Sequence, residues 1–169
     1  MSLVIRPAGE ADLDALARLN DAVQSLHVTL YPTDFRAAVD KASVGDFFAA
    51  RLATTIVAEA DRTLIGYAWF EFQHVPETPF TSARLRLYVH HLAVAPGARR
   101  QGVATGLLAH IERRAAAEGV DDIALDCWAD NLLARKFFAA RGFGVFNLRL
   151  RKQISAAATS RSAAPEDLD

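Results

Sequence analysis

The stretch His91-Leu92-Ala93-Val94-Ala95-Pro96-Gly97-Ala98-Arg99-Arg100-Gln101-Gly102-Val103-Ala104-Thr105-Gly106-Leu107-Leu108 carries an apolar strand into a basic, glycine-bearing turn and then into an amphipathic helix. The first turn of a helix leaves backbone N–H groups without partners, and the positive end of the helix dipole lies there. Gly102, Ala104 and Gly106 are expected to keep side-chain bulk away from that turn, so that an anionic group reaches the N–H groups directly. Arg99 and Arg100 add positive charge that no carboxylate within the stretch cancels. The segment reads as a cradle for a phosphorylated ligand. A nucleoside-triphosphate loop would place Lys followed by Ser or Thr after the second glycine, and this turn has neither there. A dinucleotide fold is disfavoured, because the first half lacks the strand–helix alternation of a parallel sheet.

Working outward, residues 84–94 form the strand that feeds the turn, and residues 102–118 the helix that leaves it, with Val103, Leu107, Leu108, Ile111 and Ala115 on one face and Gly119 as its stop. Residues 54–60 and 64–74 are rich in β-branched and aromatic side chains around Asp61-Arg62-Thr63, the pattern of an antiparallel hairpin. A first strand is expected at residues 2–8, a helix at 10–25, a loop at 26–32 and a second helix from Thr33 to about Leu52, interrupted near Gly45. Ile123, Leu125 and Cys127 alternate as a strand, residues 131–141 read as the last long helix, and Phe146, Leu148 and Leu150 alternate with polar residues as a final strand. A single domain over residues 1–154 is expected, followed by a flexible tail at 155–169 of Ser, Ala and Thr.

A second block, Asn131-Leu132-Leu133-Ala134-Arg135-Lys136-Phe137-Phe138-Ala139-Ala140-Arg141-Gly142-Phe143, follows the cradle after one helix and one strand. The spacing Arg99-x-x-Gly102-x-Ala104 after Leu92-x-Val94-x-Pro96 resembles the acyl-CoA-binding motif of the Gcn5-related N-acetyltransferase (GNAT) superfamily, and the second block resembles that family's late signature. The resemblance extends from about Ile5 to Leu150. It implies a mixed α/β fold: a mostly antiparallel central sheet with helices on both faces and a splayed cofactor-binding strand pair. It also implies acetyl-CoA as cosubstrate. The backbones of Leu92, Ala93 and Val94 would bond the pantetheine arm. Arg99, Arg100, Gln101, Gly102, Val103, Ala104 and Thr105 would hold the pyrophosphate. Asn131 would meet the pantetheine arm, although Asp130 or Asn131 also suits a helix N-cap. Phe138 is a further cofactor-binding position, and it stands where family members commonly carry the tyrosine that protonates the leaving thiolate.

Acetyl transfer to an amine needs a neutral nucleophile and hence a proton acceptor. Candidates are His90, a residue type that titrates near neutrality, and Asp126, in a place where many family members carry an acid. Tyr88 is a candidate donor that would stand in for the missing tyrosine. Strict alternation places His90 with Tyr88 and Leu92 but His91 with Val89 and Ala93, so only one of the two histidines is expected to face the substrate. Tyr67, Trp69, Glu71 and Gln73 share one strand face, a candidate wall for the acceptor pocket, and His27, Tyr31 and Phe35 lie in the family's variable region. An oxyanion would meet a backbone N–H near Leu92 or Val94. The expected activity is direct acetyl transfer to a primary amine of a small molecule or a protein. The rival reading, motivated by Phe138, is an acyl-CoA-binding or protein-interaction module with weak turnover or none.

Composition bounds the rest. Nineteen Lys and Arg against twenty Asp and Glu leave a net charge of −1, which gives no electrostatic footprint for nucleic acid. No apolar run reaches membrane-spanning length and the N-terminus does not read as a secretory signal, so a cytoplasmic location is expected. The single cysteine, Cys127, leaves no disulfide within the chain and no cysteine cluster for zinc, and no metal is expected. A homodimer is left open.

Overall fold

Thr55–Ala60 (β2) and Thr63–Val75 (β3) meet at Asp61 and Arg62, whose φ angles of 48° and 62° form the left-handed two-residue turn that matches strand twist in a hairpin. Around this hairpin the computed structural model, which describes residues 2–36 and 40–154, adds Leu3–Pro7 (β1), Arg84–Val94 (β4) and Ile123–Leu125 (β5). The strand order is β1-β2-β3-β4-β5, antiparallel except for the parallel pair of β4 and β5. β5 pairs only with Leu87–Val89, so β4 beyond Val89 has a ladder on its β3 side and none with β5. That divergence is the splay expected for the strand pair.

Leu13–Leu30 (α1) and Lys41–Ala49 (α2) cover one sheet face, where Leu16, Ala17, Val44 and Phe48 pack on Val57, Tyr67 and Ala93. Val103–Ala117 (α3) covers the other, where Val103, Leu107, Ile111 and Ala115 pack on Ile56, Ala58, Ala68, Phe70, Leu87 and Val89. A Cβ on Gly106 would lie 2.9 Å from Ile5 Cδ1, so this glycine serves the approach of α3 to β1. No helix among the described residues is long and apolar enough to cross a membrane.

α1 runs past the expected end at residue 25 to Leu30, where Tyr31 N–H still bonds His27 C=O at 2.7 Å. Pro32 then stops it, since the residue before a proline avoids helical backbone and Tyr31 sits at φ −141°, ψ 68°. Residues 33–35 form a turn, not the start of α2, and residues 37–39 lie outside the described residues. α2 begins eight residues later, at Lys41, because the Asp40 side chain accepts from Ser43 N–H at 2.9 Å, and it runs through Gly45 unbroken.

Arg6 ties β1 to its surroundings by donating to Asp12 at 2.7 and 3.0 Å and to Glu59 at 2.8 and 3.1 Å. The guanidinium fork holds the Asp12 carboxyl below the usual range, although burial alone would raise it. A lowered carboxylate pKa stabilises the fold above the ordinary aspartate range and is lost as the pH falls through the folded value. Arg6 is partly exposed, so Arg6→Gln is expected to cost about 1–2 kcal/mol in neutral urea melts. The gap should narrow in acid; a pH-independent gap would remove the ion-pair account.

The described residues fall into two compact units, the first ending at Asn131 and the second starting at Leu132. In the second, Leu132–Ala139 (α4) brings the Phe138 ring to 5.2 Å from Phe137 and 5.5 Å from Phe143. The chain then turns at Gly142, at φ +89°. The final strand expected at residues 146–150 does not form: residues 143–154 have no regular structure, with Phe146, Leu148 and Leu150 at 73–90% exposure. Alternation specifies a strand only where a ladder and a covering face exist, and no ladder forms here among the described residues. The tail expected at 155–169 lies outside the described residues.

Candidate active site

The ladder between β3 and β4 changes register at one point: Trp69 pairs with His91 and Phe70 with Val89, leaving His90 as an extra residue. Such a bulge reverses the alternation beyond it. Leu85, Leu87 and Val89 before it and Leu92 and Val94 after it all pack on the α3 side. His90 and His91 therefore both face the α1–α2 side, against the expectation that only one would. Trp69 meets both, stacked on His90 at 4.0 Å between ring centroids and edge-on to His91 at 5.3 Å.

The two imidazoles have different environments. His90 Nε2 lies 2.8 Å from Glu71 Oε2, with side-chain exposures of 22% and 42%, and Tyr88 stands edge-on to its ring at 4.8 Å. A carboxylate at one ring nitrogen fixes the imidazole's orientation. His91 is enclosed by Phe47, Phe48, Tyr67 and Trp69. Its Nδ1 lies 3.3 Å from the Tyr67 hydroxyl, which donates to Asn20 Oδ1 at 3.1 Å. These groups are all satisfied when His91 Nδ1–H donates to the phenol oxygen. Burial, aided by the neighbouring charges of His27, His90 and Arg51, lowers the His91 pKa to about 4. His91 is thus buried with a depressed pKa, while His90 is partly exposed and paired with Glu71.

The depressed His91 value has a stability consequence of definite sign. The unfolded chain takes up this proton near pH 6.5, but the folded one resists it down to about 4. The contribution is complete above the unfolded value and lost as the pH falls through that window. Unfolding free energy is expected to drop by on the order of 3 kcal/mol between about pH 7 and pH 4 from this group alone. His91→Gln should flatten that slope in urea melts, and an unchanged slope would contradict the assignment.

Nine residues beyond His90, the cradle takes shape. A tight turn at Pro96–Ala98 precedes Arg100 at φ 65° and Gly102 at φ +82°, and Gly102 caps α3 without a side chain. The first helical bond runs from Gly106 N–H to Gly102 C=O at 2.9 Å, so the N–H groups of Val103, Ala104 and Thr105 have no helical partner. No acidic residue sits in the first turn, while Arg99, Arg100 and Gln101 are exposed on the turn itself. The geometry suits a polyanion, and the residues present fit the pyrophosphate of a CoA thioester.

Tyr88, His90 and the strand segment Leu92, Ala93 and Val94 thus share β4 with the entry to the cradle. Asp126 lies exposed just past β5 and shares no hydrogen bond or ion pair with His90. Asn131 closes a turn through its N–H to Trp128 C=O at 3.0 Å, and Phe138 belongs to α4 in the second unit. Sequence reading missed Asn20, Phe47 and Arg51. Arg51 lies over the Phe47 ring at 3.8 Å and the Trp69 ring at 4.9 Å, leaving its Nε and Trp69 Nε1 buried without partners. The available signal was the Phe47-Phe48 pair followed by Arg51 one helical turn after Phe47.

The sheet, the splay and the cradle define an acyl-CoA-type transferase architecture, and sequence comparison agrees: the Acetyltransferase (GNAT) family matches residues 20–143, and the chain belongs to that family. A comparison with curated proteins found no match. Among solved structures, the tetramutant of the BH1408 protein from Bacillus halodurans superposes with a TM-score of 0.82 at 23% identity, covering 89% of this chain and 99% of that one. A predicted acetyltransferase from Clostridium acetobutylicum, solved with acetyl-CoA, gives 0.67 at 20% identity over 90% and 96% of the two chains. An aminoglycoside antibiotic N-acetyltransferase from Acinetobacter haemolyticus gives 0.67 at 22% identity over 90% and 100%. These likenesses establish the fold.

Proposed function

We propose that the chain is an acetyl-CoA-dependent N-acetyltransferase in which a primary amine of a small molecule or a protein attacks the thioester directly within a ternary complex. The observation that carries this reading is the course of β4. β4 presents His90, paired with Glu71 of β3, at its bulge, runs unpaired by β5 through Leu92–Val94, and leads into the turn whose free N–H groups suit a pyrophosphate. Family membership and the acetyl-CoA-bound Clostridium structure support the cosubstrate.

On this reading the amine nitrogen forms the bond to the acetyl carbon, the C–S bond breaks, and the amine proton passes to His90, whose charge Glu71 offsets. Backbone N–H groups of the splayed segment meet the oxyanion. Tyr88, on the same face as His90, supplies the thiolate proton that Phe138 cannot give. Fixing both reactants on one strand supplies much of the rate through proximity. The acceptor panel read by thiol release tests the whole proposal: CoA should appear only when acetyl-CoA and an amine are both present. Tight acetyl-CoA binding without amine-dependent release would overturn it in favour of a binding module.

A further inference from the structure

The face that holds His90 continues into an aromatic surface. On α1, Asn20 reaches Tyr67 beside His91, and His27, seven residues on, lies two helical turns along the same stripe. His27 is close enough to His91 for a charge on one to oppose a charge on the other, and its own burial lowers its pKa. Around it, Phe35 lies at 4.6 Å and Trp128 at 6.1 Å, with Trp128 also 4.5 Å from Tyr31. On the other side of His91 the wall passes through Phe47 to Trp69 and ends at Glu71. Tyr31, Phe35 and Phe47 are only half buried and Trp128 is 40% exposed, so ring surface is open beside a charged pair.

The charges on this face select among amines. Glu71 is the carboxylate that contacts His90, while the guanidinium of Arg51 lies over Phe47 and Trp69 and that of Arg86 over Tyr88 at 5.1 Å. One ammonium is accepted by Glu71; a second nearby would meet two guanidinium groups. Asp34, Asp126 and Asp130 are exposed, where water and salt screen them. Resting on the acetyltransferase reading, we propose that the acceptor is a monoamine carrying an aromatic ring, its amine at His90–Glu71 and its ring against the wall formed by Phe47, Phe35, Tyr31 and Trp128.

Trp128 lies on this wall and Trp69 beneath the His90–Glu71 pair, so intrinsic fluorescence reports occupancy independently of turnover. The full chain saturated with CoA is titrated with phenethylamine, butylamine and spermidine, and the same amines are assayed for thiol release from acetyl-CoA. Phenethylamine should give a saturable fluorescence change and a kcat/KM at least about tenfold above the other two. Trp128→Ala should raise the phenethylamine KM about tenfold with kcat within about twofold, and Phe35→Leu should act in the same direction if the first variant does not fold. Turnover with spermidine or butylamine equal to or above phenethylamine overturns the acceptor class while the acetyltransferase reading stands. Saturable phenethylamine binding without thiol release from any amine overturns that reading while the wall stands. Neither signal with any amine, or an unchanged KM in both variants, overturns the wall.

Discussion

Gly102→Glu is expected to weaken acetyl-CoA binding at least about a hundredfold, because it places a carboxylate beside the free backbone N–H groups proposed to hold the pyrophosphate. The substitution has two separable effects. A non-glycine residue at φ +82° strains the turn and should cost about 1 kcal/mol of stability. A Cβ there meets nothing within 4 Å, so no packing is lost and the fold should persist. Gly102→Ala supplies the control, with the same strain and no charge. Calorimetry of acetyl-CoA binding beside thermal unfolding separates the two effects. Unchanged affinity in a folded Gly102→Glu variant would remove the cradle assignment.

The second large effect is on proton transfer. His90→Ala should lower kcat by about 10²- to 10⁴-fold, the usual worth of a general base. Glu71→Gln should also lower kcat, by less, since the carboxylate that holds His90 Nε2 is gone. Asp126→Asn, at an exposed position without contact to His90, should stay close to the parent. Acetyl-CoA affinity in these variants should stay within about twofold, since none of them touches the α3 turn. Full activity in His90→Ala together with loss in Asp126→Asn would reverse the assignment of the base.

What the sequence made legible is what local chemistry determines. The run from Leu92 to Leu108 carries its own strand pattern, breaker and helix face, and β4, the turn and α3 fall where that pattern puts them. The hairpin around Asp61 and Arg62 was equally local. The bulge at His90 was not, because a register shift is a relation between two strands and leaves no mark on the alternation of one. Two consequences depended on it: His90 and His91 share a face, and Glu71, nineteen residues earlier in the chain, meets His90 at 2.8 Å. The helical continuation to Leu30 was masked by Pro32, which suggested an earlier stop than the one it enforces. The alternation of Phe146, Leu148 and Leu150 satisfied a strand pattern without a ladder to complete it. Gly106 looked like part of the cradle because it sits four residues after Gly102, but its position against Ile5 is a tertiary fact.

The central claim is that acetyl passes from CoA to an amine on the bulged face of β4 without a covalent enzyme intermediate. Mass spectrometry of the intact protein and of the amine, after rapid mixing with acetyl-CoA in the presence and absence of phenethylamine, tests it most directly. The account predicts an unmodified protein throughout, an amine heavier by one acetyl group, and free CoA only when the amine is present. A chain that holds acetyl-CoA yet leaves every amine unacetylated, or that carries the acetyl group itself before the amine is added, would contradict it.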